Sequence, residues 1–200
     1  PPVLPGTKHI SMGGAIAADI HGKNHHVDGT FCDHVESISL ALASGELVHC
    51  SRSENSELFH ATCGGMGLTG VIVEARLKLA KVSSVSINTE SIAAANLKES
   101  LTLLNEHNEK KYVVAWVDCL ARGAALGRGI IHCGDHSDAG ELRHRESSSI
   151  GVPFTTPGLL LNRVTMATFN NLYFNRHSWA AGARLQYYDK FFFPLHSIRN

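Results

Sequence analysis

The densest group of chemically active side chains is the segment Asp19–His26, which holds three histidines, one lysine and one aspartate. His21 and His25 stand at i, i+4 spacing, as two metal ligands on a helix can. Gly22 and Asn24 disfavour a regular helix between them, and no glutamate follows the first histidine as a zinc-protease helix requires. Three interpretations stay open, in this order: a loop whose histidines bond to local backbone, the polar edge of a cofactor site, and a metal site.

A run of small and apolar residues, Ser11–Ala18, lies immediately before this group. Such a run predicts a tight turn into a closely packed helical segment, where small side chains let the backbone approach a neighbour or a ligand. Backbone N–H groups of this turn could cradle an anionic or polar cofactor. His21 and Lys23 would then lie beside the reactive ring of that cofactor.

The five cysteines are spread along the chain and form no CxxC pair. This pattern is typical of reduced, buried thiols, so we expect a cytoplasmic protein. Cys119, His132, Cys133 and His136 match no standard metal-ligand spacing, and we therefore predict no metal ion.

Composition narrows the class of protein further. Lysine and arginine number 18, as do aspartate and glutamate, and this balance argues against a dedicated nucleic-acid-binding protein. A hydrophobic content of 44% indicates a globular chain, and 200 residues accommodate one or two domains. No apolar run reaches the length of about 18 residues that predicts a transmembrane helix. Pro1–Pro5 has neither a methionine nor a signal pattern, so we expect a chain cut from a longer protein.

The pattern of the first half of the chain predicts a hairpin, a helix and a further strand. Val35–Ala43 and Glu46–Cys50 alternate around a Ser44-Gly45 turn, which predicts a β-hairpin. A short helix carrying Phe59 should follow, capped by Ser53 or Ser56 and ended by glycines. Gly70–Leu79 then alternates as a strand.

The second half has a β-α-β-β pattern. We predict a strand over Val82–Thr89, a helix over Ile92–His107, and strands over Tyr112–Asp118 and Gly127–Cys133. Gly134–Ser149 is polar and predicts a loop. A last strand, Ala183–Tyr188, precedes the aromatic cluster Phe191–Phe193. The order indicates an α+β domain built on an antiparallel sheet.

Two runs, taken together, resemble one known family. Gly13–Ala17 followed by Asp19–His26 is the first, and Gly64–Gly70 is the second. Both resemble the FAD-linked oxidases of the vanillyl-alcohol oxidase type, which have a PCMH-type FAD-binding domain. A weaker similarity continues at Trp116 and at Phe191–Leu195.

The resemblance implies an α+β fold in two parts. Residues 1–80 would be the second lobe of the FAD-binding domain, and residues 81–200 part of an antiparallel-sheet substrate domain. The family's first lobe and its carboxyl-terminal segment have no counterpart here, so we expect a central fragment with an incomplete FAD site.

The resemblance also assigns roles to single positions. His21 and Lys23 are the expected catalytic residues. The positions that match the family's cofactor contacts are Gly6, Ser11, Met12, Gly13, Gly14, Ala18, Asp19, Ile20, His21, Gly22 and Ile72. The positions that match apolar walls of the substrate pocket are Trp116, Phe192 and Leu195.

The function implied is oxidation of a secondary alcohol of a sugar-like substrate, with hydride transfer to N5 of the flavin. Oxygen or a quinone-like molecule would accept the electrons, and a lipid-linked sugar would place the protein at a membrane surface. Phe191–Phe193 and Leu159–Leu161 would then be the apolar contacts for the lipid. The alternatives are a non-catalytic fragment or relic of such an oxidase, and a zinc protein that uses His21, His25 and His26.

Overall fold

A computed structural model describes residues 1–143, 150–151, 161–179, 182–194 and 198–199. The chain divides into two compact units, Pro1–Lys81 and Val82–Asn200. No helix among the described residues has both the length and the apolar character needed to cross a membrane.

The first unit combines short helices with one small sheet. Its helices are α1 (Met12–Ala17), α2 (His25–Asp28), a 3-10 turn (Phe31–His34) and α3 (Ser56–Thr62). Its strands are β1 (Val35–Ala41), β2 (Leu47–Ser51) and β3 (Val71–Leu77).

The sheet of the first unit is antiparallel, in the order β2-β1-β3. β1 and β2 form the predicted hairpin, with Leu40 opposite Val48. Gly45 takes a φ of 86° in the connecting turn, a conformation that glycine adopts without steric cost. The hairpin and the third strand are therefore confirmed.

Large apolar side chains from the helices and from β1 form the core of this unit. Ile16, Phe31, Ile38 and Phe59 are among its fully buried members. The predicted serine cap of α3 is wrong, because Asn55 is the N-cap, with a φ of 46°. Asparagine tolerates this left-handed conformation better than serine, and its side chain donates to the His49 carbonyl oxygen at 2.7 Å.

The second unit has a larger sheet and two longer helices. Its strands are β4 (Ser86–Ala94), β5 (Tyr112–Val117), β6 (Gly129–His136), β7 (Ile150–Gly151), β8 (Gly182–Tyr187) and β9 (Ile198–Arg199). Its helices are α4 (Leu97–Glu106), a 3-10 turn (Gly123–Ala125), α5 (Arg163–Trp179) and α6 (Tyr188–Phe192).

Four of these strands form an antiparallel sheet in the order β5-β6-β4-β8, and β7 pairs with β9 in parallel. The α+β class is thus confirmed. β4 begins later and ends later than predicted, because its pairing with β6 continues as far as Ala94 opposite Gly129. α4 accordingly starts at Leu97, after an Asn96 cap that accepts from the Glu99 N–H. β6 begins later than the predicted strand and continues to His136, so the predicted loop from Gly134 is wrong at its start, because Gly134–His136 pair with β4.

The two faces of this sheet carry different side chains. Tyr112 and Trp116 lie on one face of β5, since alternate residues of a strand share a face. Rings from α6 and α5 contact them there: Phe192 meets Tyr112, and Tyr173 meets Trp116. Cys133 of β6 belongs to the opposite face.

Candidate functional site

The small-residue run forms a capped helix that lies beside β3. The Ser11 hydroxyl accepts from the Gly14 N–H at 3.0 Å and so begins α1. A methyl group added at Gly13 would meet only the Cβ of Ile72, at 3.9 Å. The structure thus brings together Ser11, Gly13, Gly14 and Ile72, all of which are predicted cofactor contacts.

The outer surface of this run is both small and apolar. Ile10 and Met12 are 38% and 49% exposed, and a methyl group added at Gly6 would touch nothing within 4 Å. An exposed surface with little side-chain relief suits the flat, largely apolar ring system of a flavin. The residues present therefore fit FAD.

The turn after α1 positions the histidine-rich segment. Asp19 has a φ of 41°, and its Oδ1 accepts from the Cys32 N–H at 2.9 Å. Ile20 accepts from the Phe31 N–H at 2.8 Å, and His21 pairs with Thr30 in an isolated bridge. Asp19 and Ile20 thus hold the backbone in place, and Ala18 is exposed beside them.

His21 and Lys23 have different surroundings. The His21 side chain is exposed, with its ring centroid 5.5 Å from that of His25. Burial lowers the pKa of Lys23 to about 8, because the charged ammonium loses solvation. Lys23 can therefore change its charge close to physiological pH.

Asn24 and Gly22 have a packing role that the sequence did not reveal. The Asn24 side chain is buried and donates from Nδ2 to the Pro2 carbonyl oxygen at 2.9 Å and to Asp28. A methyl group at Gly22 would lie 2.7 Å from the Leu4 carbonyl oxygen and from Asn24 Oδ1. The absence of a side chain at Gly22 is thus required by the first residues of the chain. The only signal of this role in the sequence is Asn24, a short polar residue that directly follows Gly22 and Lys23.

The second run of the resemblance also packs against α1. Gly64 and Met66 donate their N–H groups to the carbonyl oxygens of Ile16 and Ala17, at 3.0 and 2.8 Å. Gly70 has a φ of 152°, and a methyl group there would lie 2.6 Å from the Ala41 carbonyl oxygen. This run therefore holds the carboxyl-terminal end of α1 in place.

The three histidines of the zinc alternative do not converge. His25 places Nδ1 3.3 Å from the Gly29 carbonyl oxygen, and His21 and His26 are exposed. Among the residues that the structure describes, the donor atoms of these three histidines form no metal-like group.

An aromatic and imidazole cluster occupies one face of the sheet in the second unit. The Trp116 ring lies 4.7 Å from that of Tyr173, which lies 4.2 Å from that of His177. His132 contacts His177 and places Nδ1 2.9 Å from the Ser91 hydroxyl. Trp116 is only half-buried, so part of its surface is available to a ligand.

The other two predicted substrate contacts differ from Trp116. Phe192 is 4% exposed, and its ring packs perpendicular to that of Tyr112, 4.9 Å away. Leu195 lies outside the described residues, as do Leu159 and Leu160. The whole cluster Phe191–Phe193 is buried, so as folded here it offers no surface to a lipid.

A buried ion pair fixes α5 to the sheet near Trp116. Asp118 Oδ2 accepts from Arg128 Nε and Nη2 at 3.0 and 2.6 Å, and Asp118 Oδ1 accepts from Asn170 at 2.7 Å. The Arg128 guanidinium also lies over the Phe174 ring. Its charge is thus neutralised within the protein.

One domain family and several known proteins are similar to this chain. The family described as "FAD binding domain" matches residues 1–51. The FAD-binding domain of the predicted family is therefore present. Decaprenylphosphoryl-beta-D-ribose oxidase of Mycolicibacterium smegmatis is 32% identical over 97% of this chain and 45% of its own length.

Two further relatives match smaller parts of the chain. An uncharacterized protein of Streptomyces coelicolor is 41% identical over 68% of this chain and 37% of its own length. Cytokinin dehydrogenase 9 of Oryza sativa is 35% identical over 36% of this chain and 14% of its own length. The chain thus spans less than half the length of each of these relatives. All the predicted cofactor contacts except Ile72 lie within the matched FAD-binding domain segment.

Proposed function

We propose that the protein is an FAD-dependent oxidoreductase that oxidises a secondary alcohol carbon of a sugar-like substrate. The observation that carries this proposal is the match of residues 1–51 to an FAD-binding domain, together with the exposed small-residue surface of that segment. When bound, FAD supplies a hydride acceptor at N5 of its ring.

The protein's part is to orient the alcohol and to move its proton. The backbone of His21 is held by the bridge to Thr30, and its exposed imidazole accepts the hydroxyl proton as a general base. Lys23, with its lowered pKa, supplies a positive charge opposite the negative charge that develops during the reaction.

The name of one relative and the rings of the second unit support a proposal for the substrate class. One relative is named for decaprenylphosphoryl-β-D-ribose, and we propose a lipid-linked sugar as the substrate class, reached at a membrane surface. The Trp116 and Tyr173 rings offer an apolar face for a sugar ring. Oxygen or a quinone-like molecule is the proposed electron acceptor.

The proton-transfer role is tested with His21→Ala in the complete protein. The variant should retain FAD, seen as flavin absorbance, but substrate should reduce the flavin about 10²–10⁴-fold more slowly in stopped-flow measurements. His49→Ala, which removes an exposed histidine of β2, is the matched control. Reduction at the wild-type rate in His21→Ala would remove His21 from the catalytic residues.

The cofactor surface is tested with a pair of glycine substitutions. Gly13→Ala has room for its methyl group and improves helix propensity, so the protein should fold normally but bind FAD more weakly. Gly22→Ala should destabilise the protein regardless of FAD, because its methyl group meets backbone. Unchanged FAD affinity in Gly13→Ala would contradict the proposed surface.

A further inference from the structure

Three metal-ligating side chains meet on the sheet face opposite the Trp116 cluster. Glu90 of β4 and Cys133 of β6 are direct cross-strand partners. His107, the residue that ends α4, adds an imidazole from above this face. One donor atom from each of the three residues lies within 4.8 Å of the other two.

The imidazole is already oriented for coordination. His107 Nδ1 lies 2.9 Å from the Leu103 carbonyl oxygen. Because a carbonyl oxygen can only accept, Nδ1 carries the proton and Nε2 keeps its lone pair. Metal-bound histidines generally donate their second ring N–H to a carbonyl or carboxylate in this way.

Several acidic side chains act on the Cys133 thiol. Burial raises the pKa of Cys133 to about 11, and the charge of Glu90 adds to the effect. Asp135 and Glu109 act in the same direction, whereas Lys110 opposes them and is itself paired with Asp135 at 3.3 Å. A thiol of this kind is a poor nucleophile, which disfavours a catalytic cysteine.

We propose that Cys133 Sγ, His107 Nε2 and the Glu90 carboxylate bind one zinc-class divalent cation, with water as a fourth ligand. Thiolate, imidazole and carboxylate together suit zinc better than magnesium or calcium. Zinc bonds of about 2.0–2.3 Å place ligand atoms roughly 3.5 Å apart, so the three donors must approach by about 1 Å.

Binding of the cation would change the balance of charge around Cys133. The cation replaces the thiol proton, which is released to solvent, and its charge offsets the surrounding carboxylates. The bound ion would tie the end of α4 to the two central strands β4 and β6. The site therefore has a structural role that is independent of flavin chemistry.

The test is cobalt binding to the complete, purified protein after removal of metals with a chelator. Added Co²⁺ should bind with one-to-one stoichiometry and give a near-ultraviolet thiolate-to-cobalt charge-transfer band. Zn²⁺ should displace the cobalt and abolish the band. Cys119→Ser, which removes an exposed thiol of the same unit, should leave the band unchanged.

The ligand variants distinguish this site from incidental binding. Cys133→Ser should lose the band, and Glu90→Gln and His107→Gln should weaken Co²⁺ binding by at least about 10-fold. Glu90 and His107 are less buried than Cys133, so their variants remain informative if Cys133→Ser does not fold. Absence of the band in folded wild-type protein, or its persistence in a folded Cys133→Ser variant, would overturn the proposal.

Discussion

The buried pair Asp118–Arg128 should account for a large share of the stability of the second unit. Asp118→Asn keeps the shape of the side chain but presents an amide where Arg128 needs a carboxylate. Two short hydrogen bonds from the guanidinium, at 3.0 and 2.6 Å, would lose their charged acceptor. Removing one partner of a buried ion pair costs about 3–5 kcal/mol.

The lower end of that range applies here. The Arg128 side chain is 16% exposed and keeps its 2.6 Å hydrogen bond to Asn171 Oδ1, so it is not left wholly without partners. We therefore expect Asp118→Asn to lower the free energy of unfolding by about 3 kcal/mol at pH 7. In the double variant that combines Asp118→Asn with Arg128→Met, the loss of unfolding free energy should be about 1–3 kcal/mol smaller than the sum of the losses in the two single variants.

Urea unfolding followed by tryptophan fluorescence measures this change. The chain has two tryptophans, Trp116 and Trp179, and both belong to the second unit, so the signal reports on that unit. The control is Lys110→Met, which removes the partly exposed ion pair with Asp135 and should lower the free energy of unfolding by less than about 1 kcal/mol. A loss below about 1 kcal/mol for Asp118→Asn would refute the reasoning.

The same pair has a defined pH dependence. Burial alone would raise the pKa of Asp118, but hydrogen bonds from Arg128, Leu120 and Asn170 outweigh it and hold that pKa below its usual range. Its contribution to stability should therefore be complete above the unfolded-state pKa of about 3.9 and be lost as the pH falls through the lower folded-state pKa. The stability difference between wild type and Asp118→Asn should shrink in that acidic range.

Three further predictions concern single side chains. Because burial lowers the pKa of Lys23 to about 8, the urea midpoint of wild type, followed by far-ultraviolet circular dichroism, should rise between pH 8 and 10, and Lys23→Met should lack this rise. The hydrogen bond between the two thiols lowers the pKa of Cys63 and raises the pKa of Cys32, so Cys63 is the more reactive thiol. Mass spectrometry after iodoacetamide treatment should therefore find Cys63 modified before Cys32. Phe192→Ala should lower the free energy of urea unfolding by about 3–5 kcal/mol, because the ring is buried. Trp116→Ala should instead mainly raise the KM for the substrate. Equal losses of unfolding free energy in the two variants would argue that both are core residues.

Local features of the sequence predicted most elements of the fold. The hairpin, α1, β3 and β5 depend on alternation, turn residues and caps within a few positions, and these signals are visible without tertiary contacts. The boundaries of β4 were wrong because pairing with β6, about 40 residues away, decides where that strand stops. The cap of α3 was wrong because the left-handed conformation of Asn55 depends on its bond to β2.

The sequence by itself determined the α+β class, the resemblance to an FAD-binding family and the expected cofactor segment, since Gly13, Gly14 and the His21–His26 run lie within one short stretch of chain. Only the tertiary structure decided which glycine has room for a methyl group and which one faces backbone, as Gly13 and Gly22 show. It also brought together residues 90, 107 and 133, which no spacing pattern connects. The physical reason is that a pattern reports neighbours along the chain, whereas burial, ion pairing and ligand convergence depend on strands and helices that meet only after folding.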